Sequence, residues 1–157
     1  MNILFICTHN RCRSILGEAI TNHLSNKRIQ AFSAGSQPAG VVHPATLQEL
    51  EKRKISIEGL QSQSFDDFKN AAIDLSITVC DSAAGDPCPV WVSDNPQVHW
   101  GLADPTKLKG SEEQISAAFE QVIGTISKRI NNLLESDIEH MSITDFRVLA
   151  ASLAELY

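Results

Sequence analysis

The chain has 157 residues, a formal net charge of −6 and 43% hydrophobic residues, a length and composition that suit one globular domain with its own core. The acidic balance argues against general binding to nucleic acid or to an anionic membrane surface, and no apolar run approaches the ~20 residues of a membrane span. The start lacks a basic lead and a cleavage-type sequence, so no signal peptide is expected; four cysteines without export point to a reducing, cytoplasmic setting, where thiols are catalytic or metal-binding more often than structural disulfides.

Residues 3–6, Ile-Leu-Phe-Ile, are a short apolar run suited to a buried central strand. Ile15, Leu16, Ala19, Ile20 and Leu24 then recur with helical spacing, so a helix starts near Arg13 or Ser14. Residues 31–34 read as a second strand ending at Gly35. The breaker-rich stretch 36–44 reads as a loop whose Pro44 opens a helix to about Lys54, with Leu47 and Leu50 facing in. Ser64 caps a short helix over 65–71, with Asp66 and Asp67 in its first turn.

Residues 73–79 alternate apolar and polar with a period of two, a strand that ends in Cys80. Residues 81–95, with Gly85, Pro87, Cys88 and Pro89, read as an irregular loop, and 97–100 as a last strand leading to Asp104-Pro105. Ser111 and Gln114 form a capping box for the strongest amphipathic helix, which carries Ile115, Phe119, Val122, Ile126 and Leu133. Ser142 with Asp145 opens a final helix bearing Ile143, Phe146, Leu149, Ala150 and Leu153.

Strands alternating with helices predict an α/β fold: an open, mainly parallel four-stranded sheet with helices on both faces. The expected division is a domain over 1–136 and a C-terminal helical extension, 137–157, packed on it. In such sheets the functional crevice lies beyond the carboxyl ends of the strands. Cys7, Cys80 and Asp104 each follow a strand there, so they are expected on one rim.

The loop 7–13 reads as an anion cradle with a nucleophile at its base. A chain that leaves a buried strand and enters a helix leaves several backbone N–H groups without partners, and the helix dipole adds partial positive charge, a combination that binds tetrahedral oxyanions. Arg13 offers a planar, always-charged fork to two oxygens of the anion. Cys7 sits in the same positive field, which favours the thiolate, and Ser14 can donate to its sulfur. Thr8, His9, Asn10, Arg11, Cys12 and Arg13 are the candidate substrate-binding residues, with His9 and Arg11 at the loop tip tuning the field or facing solvent. Cys12 has two readings, a buried loop residue or the partner of an inactivating disulfide with Cys7.

Cys7-x5-Arg13-Ser14, with Asn10 and Cys12 inside the loop, resembles the low-molecular-weight tyrosine phosphatase superfamily, as do Ser33-Ala34-Gly35 and Val42-His43-Pro44. That superfamily contains two activities, phosphoester hydrolysis and arsenate reduction. The pair Cys80 and Cys88, followed by His99-Trp100-Gly101 and Asp104-Pro105, is similar to the thiol-cascade, thioredoxin-coupled arsenate reductases. The resemblance implies arsenate as substrate and a relay. Cys7 attacks arsenate; Cys80 attacks Cys7, releasing arsenite and leaving a Cys7 to Cys80 disulfide; Cys88 attacks Cys80. The oxidised Cys80 and Cys88 are then reduced by thioredoxin or glutaredoxin. Asp104 is implied as the general acid.

Two other readings stand beside this one. Phosphotyrosine or small phosphoester hydrolysis would use the same Cys7, Arg13 and Asp104, although loop 36–44 and the residues after Pro105 lack an aromatic wall to grip a phenyl ring. A structural zinc module of Cys7, Cys12, Cys80 and Cys88 lacks the tight pairs such sites use. Some reductases of the family bind potassium beside the loop. Asn10, Glu18 and Ser33 match that site, but the acidic residue expected soon after Ser64 does not align at Asp66, so no metal and no cofactor are expected. His23, His43, His99 and His140 show no ligand spacing, and Trp91 and Trp100 read as packing groups near the redox loop.

Overall fold

β1 (Asn2–Cys7) is the strand on which the sheet is laid down, because its apolar residues leave neither face suited to water. The structure is a computed structural model and describes residues 1–80 and 97–157; Cys88 and Trp91 lie outside the described residues. After β1 come α1 (Arg13–Leu24), β2 (Gln30–Gly35), α2 (Pro44–Lys52), β3 (Leu75–Thr78), β4 (Gln97–His99), α3 (Glu112–Leu134) and α4 (Ile143–Leu153). Two 3₁₀ turns, Phe65–Phe68 and Pro105–Lys107, precede β3 and α3. The strands form a four-stranded sheet in the order β2-β1-β3-β4, and every pairing is parallel.

Alternation along β1 divides the core. Ile3, Phe5 and Cys7 join Ile15, Leu16 and Ile20 of α1, Ile77 and Val98 of the sheet, and Phe119, Ile126 and Ile130 of α3 in one cluster. Leu4 and Ile6 face the other way, onto Ala34 and Ile73, where Phe32, Phe65 and Phe68 close over them. The sheet order reverses between β1 and β3, which puts the crevice at the carboxyl ends of those two neighbours.

Several elements are shorter than the sequence pattern predicts. The helix opened by Pro44 stops at Lys52 rather than Lys54, because Lys54 takes a left-handed backbone with φ of 57°. The helix expected over 65–71 is a 3₁₀ turn of four residues, and its Ser64/Asp67 capping box satisfies the amides of so short a piece. Trp100 is a packing group, as its sequence context suggests, and lies in the core. Its ring is fully buried, its Nε1 donates to the Ala150 carbonyl of α4 at 2.8 Å, and the Arg129 guanidinium lies 5.3 Å from the ring centroid. Arg28 fastens the α3 to α4 connection, donating to the carbonyls of Leu134 at 2.7 Å and Ser136 at 3.1 Å and pairing with Glu139. No helix among the described residues is long and apolar enough to cross a membrane.

Candidate active site

The site begins where β1 ends. Cys7 is the last residue of the strand, Arg13 the first of α1, and the five residues between them wrap around the Cys7 sulfur. Contacts outside the loop shape it. The Thr8 carbonyl accepts from the Gln37 amide at 2.8 Å, the His9 carbonyl from the Ala39 amide at 2.9 Å, and the Arg11 carbonyl from the His43 amide at 2.9 Å. In a trans peptide the carbonyl and the following N–H point to opposite sides. Three carbonyls held outward therefore turn the amides of His9, Asn10 and Cys12 inward. The Asn10 amide donates to Cys7 Sγ at 3.1 Å, which is this geometry made visible.

Asn10 adopts a φ of 45°, a left-handed conformation that asparagine tolerates better than most residues. Its side chain is fully buried and orders the site. Oδ1 accepts from the Gln63 amide at 2.8 Å, so Nδ2 is the end that donates to Ser14 Oγ, also at 2.8 Å. Ser14 Oγ, already accepting from Asn10, has its own proton to give to Cys7 Sγ at 3.0 Å. The sulfur thus receives an N–H and an O–H, the surroundings an attacking thiolate needs. The N-cap of α1 is Cys12, with no side-chain cap, so the first amides of the helix remain available to an anion.

Arg13 is 7% exposed. Its Nη1 donates to the Leu102 carbonyl at 3.2 Å and its Nη2 to Asp104 Oδ2 at 3.3 Å. Asp104 is oriented in turn by the amide of Thr106 at 3.0 Å and its hydroxyl at 2.6 Å. Cys7, His9, Arg11, Cys12, Arg13 and Asp104 line a small cavity of about 30 Å³. A tetrahedral oxyanion seated there would have sulfur beneath it, amides and guanidinium around it, and a carboxyl at its rim.

Thr8 and Arg11 are partly buried and His9 is exposed at the loop tip. Cys12 is buried at 2% exposure, and burial pushes its thiol up to about 12, with a hydrogen bond to Thr46 opposing and the charges of Asp104 and Cys7 adding to the rise. A thiol so held stays protonated and packed. Cys80 is fully buried at the end of β3, the strand beside β1. In register Ile6 faces Thr78, so Cys80 falls in the phase of Ile6 and Cys7 in the phase of Val79. Cys7, Cys12 and Cys80 are free thiols.

The three residues that match the family's potassium site are placed together by the fold, Ser33 on Glu18 and Asn10 on the backbone of Gln63. Asn10 Oδ1 accepts from Gln63, and Ser33 Oγ donates to Glu18 Oε2 at 2.5 Å. Among the described residues no three His, Cys, Asp or Glu side chains group as a metal site.

Two further residues of the site, Gln63 and Thr46, carry no sequence signal, and His43 carries one only through the Val42-His43-Pro44 resemblance. Gln63, His43 and Thr46 hold the loop from segments far along the chain. Tyr157, at the other end, reaches a groove of about 510 Å³ that adjoins the cradle across Asp104 and is walled by Leu102, Pro105, Ala118 and Val122.

The sequence profile of the family described as low molecular weight phosphotyrosine protein phosphatase matches residues 2–142, ending where α4 begins. The chain is similar to the arsenate reductase of Halalkalibacterium halodurans, 34% identical over 134 residues that make up 85% of this chain and 95% of that one. Its fold is similar to the crystal structure of an arsenate reductase from Archaeoglobus fulgidus, with a TM-score of 0.70 and 26% identity, covering 85% of this chain and 99% of that chain. It is also similar to the thioredoxin-dependent arsenate reductase of Corynebacterium glutamicum, with a TM-score of 0.63 and 28% identity, covering 89% of this chain and 63% of that chain.

Proposed function

The chain belongs to the low molecular weight phosphotyrosine protein phosphatase family, and within it we propose an arsenate reductase, an enzyme that converts arsenate to arsenite with two electrons from thiols. A cradle that holds phosphate holds arsenate equally, so the anion site alone does not choose between hydrolysis and reduction. The observation that carries the choice is a second thiol, Cys80, at the end of the strand that pairs with the one bearing Cys7. Hydrolysis has no use for it.

The chemistry runs as a relay. Cys7 thiolate attacks arsenic, and Asp104 gives a proton to the oxygen that departs as water. Cys80 thiolate then attacks Cys7 Sγ; the sulfur–arsenic bond breaks with its electron pair left on arsenic, which leaves as arsenite, and the two sulfurs are joined. Cys88 attacks Cys80 and frees Cys7. The sum is arsenate and two thiols to arsenite, water and a disulfide. Arg13, Ser14 and the amides of residues 8–12 hold the anion and the sulfur during the first step.

The disulfide is returned to thiols by a dithiol protein of the thioredoxin or glutaredoxin type, and the cytoplasm is the compartment that keeps such a relay reduced. Residues 137–157 are a helical extension of the same domain, not a separate functional unit.

The test is a free-thiol count with mass mapping on reduced protein, before and after stoichiometric arsenate, with phosphate as control. Loss of two thiols with arsenate alone, mapped to Cys7 and Cys80 or to Cys80 and Cys88, is expected. Survival of all four thiols together with hydrolysis of an aryl phosphate would establish the phosphatase instead.

A further inference from the structure

His43 has no part in the relay, yet it is where α2 meets the oxyanion loop. Its backbone N–H donates to the Arg11 carbonyl at 2.9 Å, and its ring Nδ1 accepts the Ala45 amide at 3.1 Å, capping α2 just before Pro44. Thr46, whose amide donates to the His43 carbonyl at 3.0 Å, adds a hydroxyl bond to the same Arg11 carbonyl at 3.3 Å. One carbonyl of the cradle is thus gripped twice by the first turn of a helix, and the ring of His43 holds that turn in place.

A ring that accepts at Nδ1 carries its proton on Nε2 when neutral, and a protonated ring has no acceptor left. The cap exists only with neutral imidazole. The charged groups that act on the ring are Arg11 from the loop and Asp104 from the segment after β4, and the first turn of α2 carries no acidic residue. Burial and the Arg11 cation hold His43 below its ordinary value, against the pull of Asp104, which keeps the ring in the form that caps.

We propose that His43 is a positioning residue of the oxyanion cradle: its neutral ring keeps the N-terminus of α2 against the Arg11 carbonyl, and so keeps the Arg11–Cys12 peptide turned with its N–H toward the anion. The inference rests on the oxyanion site proposed above and not on the redox steps.

Inorganic phosphate reads the cradle whether or not arsenate is reduced, so its affinity is measured calorimetrically on the full chain between pH 5.5 and 8 for the wild type, His43→Ala and His43→Asn. His43→Ala is expected to weaken phosphate at pH 8 by about fivefold, the scale of a lost helix cap. His43→Asn, whose side-chain oxygen caps without titrating, is expected to recover most of that affinity at pH 8. It is also expected to gain on the wild type as the pH falls, because protonation of the wild-type ring removes the cap while the asparagine oxygen is unchanged; the titration of phosphate itself is common to all three proteins. A merely structural role would lower the melting temperature of His43→Ala and leave phosphate affinity unchanged, and that result overturns the proposal. So does a ratio of wild-type to His43→Asn affinity that stays constant with pH, a comparison that stands even where His43→Ala does not fold. A wild type that binds phosphate yet leaves arsenate untouched sinks the reductase reading alone.

Discussion

Arg13 and Asp104 are 91 residues apart in sequence, and their side chains meet, Nη2 to Oδ2, at 3.3 Å. Neither is open to water, with side chains 8% and 15% exposed. In the proposed mechanism this one guanidinium serves both the oxyanion and the carboxyl that would protonate its departing oxygen, and the Arg13–Asp104 contact would hold the two in register. The first two predictions probe the two ends of this pair.

Asp104→Asn keeps an oxygen to accept from Thr106 but has no proton to give. We expect kcat for arsenate to fall by about 10²–10⁴ while phosphate still binds, because the loop amides and Arg13 that hold the anion are kept. Steady-state kinetics and phosphate titration on one preparation check both halves. An unchanged kcat would remove Asp104 from the mechanism.

Arg13→Lys keeps the charge and loses the fork. A lysine ammonium cannot bond the Leu102 carbonyl, Asp104 and two anion oxygens in one plane. A loss of about 10²-fold or more in kcat/KM is expected from two charge-assisted bonds weakened together, with phosphate affinity falling in parallel. Wild-type kinetics in this variant would mean that the backbone amides alone hold the anion.

Glu18 gives a prediction in pH. Burial pushes its carboxyl up to about 7, with the Ser33 hydrogen bond opposing. The folded chain thus holds a proton that the unfolded chain, with an ordinary carboxyl near 4.5, has already released. Stability from this group falls as pH rises from the unfolded value to the folded one and is level above it. Glu18→Gln removes that loss. Relative to the wild type it should be equally stable near pH 4.5 and more stable at pH 8, by of order 1–3 kcal/mol, measured as the shift of urea midpoints across that range. A gain independent of pH would contradict the buried acid.

Gly35 and Gly17 separate site from core. A Cβ on Gly35 would lie 2.6 Å from the Thr8 carbonyl oxygen and 3.0 Å from the Asn10 amide nitrogen, both in the cradle. One on Gly17 would lie 2.6 Å from the Phe5 ring. Both alanine variants should lose about 1–3 kcal/mol from overpacking. Only Gly35→Ala should also raise KM for arsenate, because the atom that must give way belongs to the loop. Equal KM values in the two would show that the loop tolerates the push.

Local order along the chain was enough for much of this. The run 3–6, the helical spacing from Ile15, and the cysteine, arginine and serine between them are neighbours in sequence, and strand, turn and helix are properties of neighbours. The parallel sheet followed from strands alternating with helices, the cap at Ser64 from its place before Asp66 and Asp67, and the capping box at Ser111 from residues three apart. The same locality left the ends of elements open. Nothing in the pattern of 44–54 shows that Lys54 turns left-handed, and a strand of four residues does not differ in period from one of seven.

The tertiary structure decided what lies between distant segments. That Gln37, Ala39 and His43 hold the cradle's carbonyls outward, and that Gln63 fixes the Asn10 amide and through it the Ser14 proton, are contacts across 29 to 53 residues. No periodicity encodes them. Trp100, legible in the sequence only as a packing group, lies under α4 because its indole N–H finds the Ala150 carbonyl there, and a large aromatic goes where both its area and its one donor are satisfied. The sequence by itself determined that a cysteine and an arginine flank a strand-to-helix turn of the kind that suits an anion. Only the fold decided which groups aim that turn, because a hydrogen bond is specified by distance and direction, and the chain sets those only after its separate elements have packed.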